Sequence, residues 1–349
     1  MMEPLPSPQS RSSSAITPNV PDMTFSRTLA IRALHRLQHG LSHPPIELVY
    51  TPHERWPLPH PSLAPPLPRR PLTVSILDSS FNPPTLAHLA LAKSLRPSYF
   101  QPHDSVQDDA VDYDARLLLL SVRNADKSLK SSDASYLQRL EMMALLANRV
   151  AGDLSNAQSD DGRVVAANEA ANVAIGIIDE PTFVGKSSSL LTFLRNRFLS
   201  FSSTDPLATI HDIQLTFIVG YDTLERLTLP RYYPSESQML LSLRKFLSPP
   251  PGGDDSRLVC ARRSSLPSGS PVTKDTRPQD ARLQPMQEFI VSGRVAFIDI
   301  EEEVRTSSST AVRDAISRSG FQSKGWRRHV TTEIATYLER DKLYFESTA

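Results

Sequence analysis

The sequence predicts a doubly wound α/β domain built on a parallel sheet, and three observations carry that prediction. From residue 72 onward, short apolar runs alternate with amphipathic helical patterns. The runs are near-continuous Val, Ile and Leu rather than alternating, which requires burial on both faces, as in a parallel sheet. With 349 residues, 39% of them hydrophobic, the chain can bury a substantial core.

Strands are expected over 72–78, 117–122, 173–179, 215–220, 257–262 and 294–300, and helices over 85–96, 134–149, 187–199, 237–247, 308–318 and 328–340. Repetition of strand, helix and strand implies right-handed crossovers. Nearly half of the 30 prolines precede residue 71. Residues 1–71 therefore read as a Pro-rich, partly disordered N-terminal extension to a domain over 72–349. Within the extension, 1–23 and 52–71 should be irregular or polyproline-like. Thr28 to Leu41 has helical apolar spacing, and Ile46 to Tyr50 reads as a short strand. Three polar stretches, 101–114, 151–169 and 248–280, are long for a compact domain and read as disordered insertions or lids.

The totals exclude several classes. Formal net charge is zero, so no global field draws the chain to nucleic acid or an anionic membrane. A single cysteine, Cys260, excludes an intramolecular disulfide framework and fits a reducing compartment. No apolar stretch has membrane-spanning length, and no secretory apolar segment opens the chain. Residues 24–43 are basic and free of acids, as in a mitochondrial presequence, but Glu3, Asp22 and the early prolines weigh against one. A cytoplasmic or nuclear location is expected.

The residues with chemistry begin behind the first strand, at Ser79-Ser80-Phe81-Asn82-Pro83-Pro84-Thr85-Leu86-Ala87-His88. A buried strand ends, the chain turns through small residues and two prolines, and a helix opens. Thr85 and His88 lie one turn apart on it and lean toward its N-terminus. Exposed amides, a hydroxyl and an imidazole at a strand's carboxyl end suit a phosphate. In isolation T-x-x-H would be a capping Thr beside a half-buried His; the strand in front of it turns the reading toward a nucleotide site. The second constellation, Thr306 to Arg313, follows the strand 294–300 and opens another helix. Its Ser and Thr residues cap that helix, leaving amide donors and the positive dipole end for an anion. Arg313, one turn beyond Ser309 and Thr310, can clamp the same phosphates.

Together these segments resemble the nucleotidyltransferase superfamily of the T/H-x-G-H and I-S-S-T-x-x-R type, and within it the nicotinamide mononucleotide (NMN) adenylyltransferases, including fungal members. Ser80 to His88 resembles the first motif and Ser308 to Arg313 the second, in the expected order along 72–345. Ser121 to Lys127, with Arg139 and Met142 behind, looks like the family's phosphate-binding Lys loop. Phe217 to Asp222 looks like its G-x-D strand end, and Arg262 like a basic residue it carries after the next strand. There are departures. Ser79 stands where the family usually has Gly, and Ala87 replaces a Gly of the bacterial motif. The stretch Phe183 to Ser189 lacks the Trp that stacks on the pyridine ring in eukaryotic members, leaving Phe183 as the substitute.

The resemblance implies a Rossmann-like nucleotidyltransferase fold and an enzyme that makes NAD from ATP and NMN, releasing pyrophosphate. His88, Thr85 and Arg313 would be its catalytic residues. Ser79, Ser80, Phe81 and Lys127 would bind the nucleotide, with Gly220, Asp222, Arg262, Ser308, Ser309 and Thr310. Mg²⁺ would be carried by the triphosphate and water, since no carboxylate cluster has metal-ligand spacing. Two alternatives stay open: a related nucleotidyltransferase with another phosphorylated acceptor, and an ATP-binding or ATPase regulatory protein. Elsewhere, Glu301 to Glu303 read as a solvated charge run, as do Asp108, Asp109, Asp112 and Asp114. Arg69, Arg70, Arg327, Arg328 and His329 are too sparse for a nucleic-acid surface. Cys260 reads as a buried structural thiol.

Overall fold

The computed structural model describes residues 25–59, 71–100, 112–123, 132–158, 171–202, 212–262 and 281–345. In chain order its elements begin with α1 (Arg27–Gln38), β1 (Ile46–Tyr50), β2 (Leu72–Asp78), α2 (Leu86–Lys93), β3 (Ala115–Ser121), α3 (Tyr136–Gln158) and β4 (Val173–Ile178). They continue with α4 (Phe183–Ser202), β5 (Ile213–Gly220), α5 (Tyr221–Leu227), α6 (Glu236–Leu247), β6 (Arg257–Ala261), α7 (Gln287–Val291), β7 (Val295–Ile298), α8 (Glu302–Arg305), α9 (Ser309–Ser319) and α10 (Thr332–Arg340).

One seven-stranded sheet runs in the order β1-β4-β3-β2-β5-β6-β7. Its members are parallel except β1, which pairs antiparallel with β4 through Ile46 opposite Ile178. The chain winds outward from β2 through β3 to β4, then returns to add β5, β6 and β7 on the other side. The winding therefore reverses between β2 and β5, the place where doubly wound sheets open a crevice at their carboxyl edge.

Alternation along each strand sends side chains into two separate cores. Val74, Ile76, Leu117, Leu215 and Phe217 pack beneath α4 and α6, against Leu194, Phe198, Leu243 and Phe246. Leu77, Leu118, Ile175, Ile218 and Val259 pack beneath α1, α2 and α3, against Leu37, Leu89, Met143 and Leu146. A third cluster seats Trp326, Val312, Ile316, Ile334 and Tyr344 against Met142 of α3, which holds the C-terminal helices over one end of the sheet.

The expected strands are present to within a few residues, and the departures have local causes. Residues 26–58, placed by sequence in an extension, supply the edge strand β1 and the helix α1 to this same sheet and core. Arg36 fastens α1 to β1 with two hydrogen bonds to Glu47, at 2.9 and 2.7 Å. The irregular stretch after β1 buries Trp56 completely, with its indole N–H donating to the Asn172 carbonyl at 3.1 Å. Helix α3 runs on through the first eight residues of the 151–169 stretch, because Val150 and Ala151 still face the core. Within 248–280 the chain turns back and forms β6 by residue 257, as that strand's own apolar run requires. Helix α4 begins at Phe183 rather than 187, since Phe183 and Val184 already pack on the core. Helix α10 begins at Thr332, capped by Thr331, with residues 325–329 forming a separate 3₁₀ turn.

Asp112 and Asp114 do not form a solvated run. Asp112 takes both bonds from the buried Arg116 guanidinium, at 2.6 and 2.7 Å, and Asp114 accepts from the N–H and hydroxyl of Thr73, each at 2.8 Å. A buried guanidinium and the start of β2 both need acceptors, and these carboxylates supply them. Asp108, Asp109, Arg69 and Arg70 lie outside the described residues. Cys260 is buried, and burial, with the nearby Asp222 charge, pushes its thiol up to about 12, in keeping with an inert structural role. Among the described residues no helix is long and apolar enough to cross a membrane.

Candidate functional site

The reversal between β2 and β5 brings the sequence-predicted residues to one edge. Strands β2, β5 and β6 are neighbours, so Ser79, Gly220 with Asp222, and Arg262 follow one another along their carboxyl ends.

The loop after β2 is held from several sides. Phe81 is buried with φ +45°, a left-handed conformation that costs a non-Gly residue about 1–2 kcal/mol. The next residue is anchored on three elements. The Asn82 side-chain oxygen accepts from the Tyr344 hydroxyl at 2.8 Å and the Ala134 N–H at 3.2 Å, while its amide donates to Asp133 at 2.7 Å. Its backbone carbonyl accepts from Arg313. Arg139 donates to the Ser80 carbonyl at 3.4 Å. A loop so fixed can present Ser79 and Ser80, both partly exposed, in a defined geometry.

Helix α2 settles the state of His88. The Thr85 backbone N–H donates to His88 Nδ1 at 3.0 Å. A backbone amide can only donate, so Nδ1 is an acceptor and the neutral ring carries its proton on Nε2. That Nε2 lies 2.9 Å from the Ser79 hydroxyl oxygen. Burial pushes the imidazole down to about 4, and the amide aimed at Nδ1 opposes a second proton as well. Thr85, expected to offer its hydroxyl to a phosphate, is instead fully buried. With Nδ1 occupied by the amide, the Thr85 hydroxyl donates to the Ser307 carbonyl at 3.2 Å. It joins the two helix starts.

Helix α9 docks on the same loop. Ser309 donates to the Pro83 carbonyl at 2.7 Å, and the Ser308 hydroxyl accepts from the Ala311 N–H at 3.4 Å as N-cap. Thr310 is exposed, and its hydroxyl accepts from Arg313 at 3.2 Å. Arg313 thus spans both motifs, and its side chain is 26% exposed. The first amides of α9 lack intrahelical acceptors and open beside this guanidinium.

On the far side of the switch point, Gly220 is the N-cap of α5, and a Cβ placed on it would meet nothing within 4 Å. Asp222 is exposed in the first turn of α5. Arg262 is partly exposed, its Nε 3.8 Å from Asp299 and its guanidinium over the Phe297 ring at 5.9 Å. Lys127 lies outside the described residues.

Sequence reasoning missed an ion pair at this edge. Lys186 of α4 meets Asp78, the last residue of β2, with side chains 5% and 8% exposed. Asp78 also accepts from the Ser121 hydroxyl at 3.0 Å, and the ammonium sits 4.9 Å from the centre of the Phe183 ring. Phe183 meets Phe217 edge-on at 5.7 Å. The available signal was a lone Lys at a helix start behind β4; its partner is 108 residues earlier. Among the described residues no group of three His, Cys, Asp or Glu side chains is arranged to hold a metal.

The fold and this edge define the class: a doubly wound α/β protein with two capped helix starts and an arginine converging beside its strand-end crevice. No protein-family model matches the chain. It is 28% identical over 175 residues to a Schizosaccharomyces pombe protein provisionally named as a nicotinamide mononucleotide adenylyltransferase. That match covers 50% of this chain, and the chain spans about half (49%) of that relative's length. Two solved structures of Plasmodium falciparum nicotinic acid mononucleotide adenylyltransferase, one complexed with APC and one with NaAD, align over 78% of this chain at 11% identity. Their TM-scores are 0.39 and 0.40.

Proposed function

We propose that the chain is an ATP-dependent adenylyltransferase that joins the adenylyl group of ATP to nicotinamide mononucleotide, forming NAD and releasing pyrophosphate. The observation that carries this reading is the convergence of the Ser79–His88 loop and the Ser308–Arg313 helix start beside the switch point, with Arg313 bonded to both. The similarity to the S. pombe protein supports the same class of reaction.

In such a transfer a phosphate oxygen of the acceptor attacks the α-phosphorus of ATP, and the bond to the bridging oxygen breaks as pyrophosphate leaves. The acceptor phosphate is already ionised, so no side chain need take a proton from it. Catalysis is then positioning and charge neutralisation. His88, neutral and directed at the Ser79 hydroxyl, would organise hydrogen-bond donation at the transferred phosphoryl group. The opening turn of α9 and the Arg313 guanidinium would hold the leaving pyrophosphate. Gly220 leaves the nucleotide unobstructed space, and Asp222 and Arg262 would line its far side. A Mg²⁺ carried by the triphosphate and water would neutralise phosphate charge there.

One observation favours a second reading, a different phosphorylated acceptor. The Lys186 ammonium lies over the ring of Phe183, which also packs in a T-shaped contact with Phe217, so less of that ring is left to stack on an acceptor base. The test is pyrophosphate release from ATP and Mg²⁺ with nicotinamide mononucleotide, nicotinate mononucleotide and other phosphorylated acceptors in parallel. His88→Ala should lower turnover by at least about 100-fold, the loss of one preorganised donor. Near-normal turnover would make His88 structural only.

A further inference from the structure

We propose that the Ser79 hydroxyl, rather than the imidazole of His88, is the group that donates to the ligand's phosphate, with His88 a positioning residue acting through it. This rests on the reading of the crevice as a nucleotide-phosphate site.

The direction of each hydrogen bond follows from the first. Thr85 N–H fills the lone pair of Nδ1, so the ring proton is on Nε2 and points at the Ser79 oxygen, 2.9 Å away. A hydroxyl has one proton and two lone pairs. Ser79 uses a lone pair for the imidazole, and its own proton cannot go back to a nitrogen that already carries one. Among the described residues that proton has no acceptor: the side chain's one hydrogen bond is the one to His88. Ser79 is partly exposed and follows the last residue of β2, beside β5 across the switch point. The spare proton is therefore available to the crevice. Donation into the hydroxyl oxygen polarises the O–H and makes it a better donor in turn. The chain Thr85 N–H, His88, Ser79 runs from a helix cap to the site with every direction set by a backbone amide. Because Nε2 carries the proton, His88 cannot act as a base for Ser79, so the pair is a donor relay and not a nucleophile with its base.

The test compares wild type with Ser79→Ala, Ser79→Thr, His88→Ala and the Ser79→Ala/His88→Ala double variant. The readouts are pyrophosphate release and the affinity for a non-hydrolysable ATP analogue. Ser79→Ala and His88→Ala should each lower kcat about 100-fold, and the double variant should fall no more than about threefold below either, because both remove one relay. Ser79→Thr keeps the hydroxyl and should stay within about fivefold of wild type. In wild type, ¹⁵N NMR should find Nδ1 of His88 unprotonated and Nε2 protonated, with the Nε2–H resonance moved by Ser79→Ala. Ser79→Ala at normal kcat beside an impaired His88→Ala would overturn the proposal, since His88 would then donate directly. Losses that multiply in the double variant would overturn it too. A wild type that releases no pyrophosphate with any acceptor sinks the transferase reading alone. The relay is then judged from the ATP-analogue affinities, which Ser79→Ala and His88→Ala should weaken equally. An affinity unmoved by Ser79→Ala refutes it.

Discussion

Lys186→Met should destabilise the fold by about 3–5 kcal/mol, far more than the loss of a surface lysine. The ammonium and the Asp78 carboxylate are 5% and 8% exposed, so water screens neither. Removing the ammonium leaves a buried carboxylate with the Ser121 hydroxyl as its remaining partner among the described residues. The cost is that of an uncompensated buried charge, to which the lost contact with the Phe183 ring adds up to about 1 kcal/mol. In a domain of this size each kcal/mol moves Tm by about 2–4 °C, so the midpoint should fall by roughly 10 °C. Urea unfolding followed by far-UV circular dichroism measures the loss directly. The double variant Asp78→Leu/Lys186→Met removes both charges and should recover most of it. A single variant within about 1 kcal/mol of wild type, or a double variant as unstable as the single, would refute the reasoning.

Three further outcomes follow from the same geometry. The folded state holds His88 near 4 while an unfolded imidazole sits near 6.5, so between those values the unfolded chain takes up the proton. Stability should therefore fall as pH drops from about 6.5 to about 4, by at most about 3 kcal/mol from this group. His329, also lowered by burial, acts in the same direction, so the His88 share is the part of the slope lost in His88→Phe; an unchanged slope contradicts the assignment. Gly220→Val meets no neighbouring atom within 4 Å at its Cβ and has an ordinary φ of −78°, so stability should stay within about 0.5 kcal/mol. The same change should weaken ATP binding at least about tenfold in calorimetric titration, and unaltered affinity would move the nucleotide away from β5. Tyr344→Phe removes one of two donors to the buried Asn82 oxygen and should cost about 1 kcal/mol in urea unfolding. Unaltered stability would show that this hydroxyl does not secure the loop.

What the sequence reveals of this molecule depends on distance along the chain. Strands β2 to β6 were legible because each is rich in Val, Ile and Leu and is buried along nearly its whole length, on both faces. Helix α1 and strand β1 were legible as elements, but not as parts of the main sheet. Ile46 pairs with Ile178, and nothing local to either residue encodes an antiparallel partner so far away. At the site, His88 and Arg313 stood out because a strand end or a Ser/Thr-rich helix start preceded each. A capping Thr and a phosphate-binding Thr have the same local pattern, and the burial of Thr85 and its bond to the Ser307 carbonyl were not legible because that partner arrives 222 residues later. Asp112 and Asp114 were misread because their partners Arg116 and Thr73 become visible only once β2 and β3 are paired. Lys186 escaped because one lysine at a helix start carries no local mark of burial.

Whether the crevice directs attack at the α-phosphorus of ATP is decided by following an isotope through one reaction. Protein, Mg²⁺, nicotinamide mononucleotide and ATP labelled at the α-phosphorus are incubated together, and the products are separated by chromatography. Label should appear in a dinucleotide product, with one pyrophosphate released for each molecule formed. Label that stays in ADP, with free phosphate accumulating, would contradict attack at the α-phosphorus.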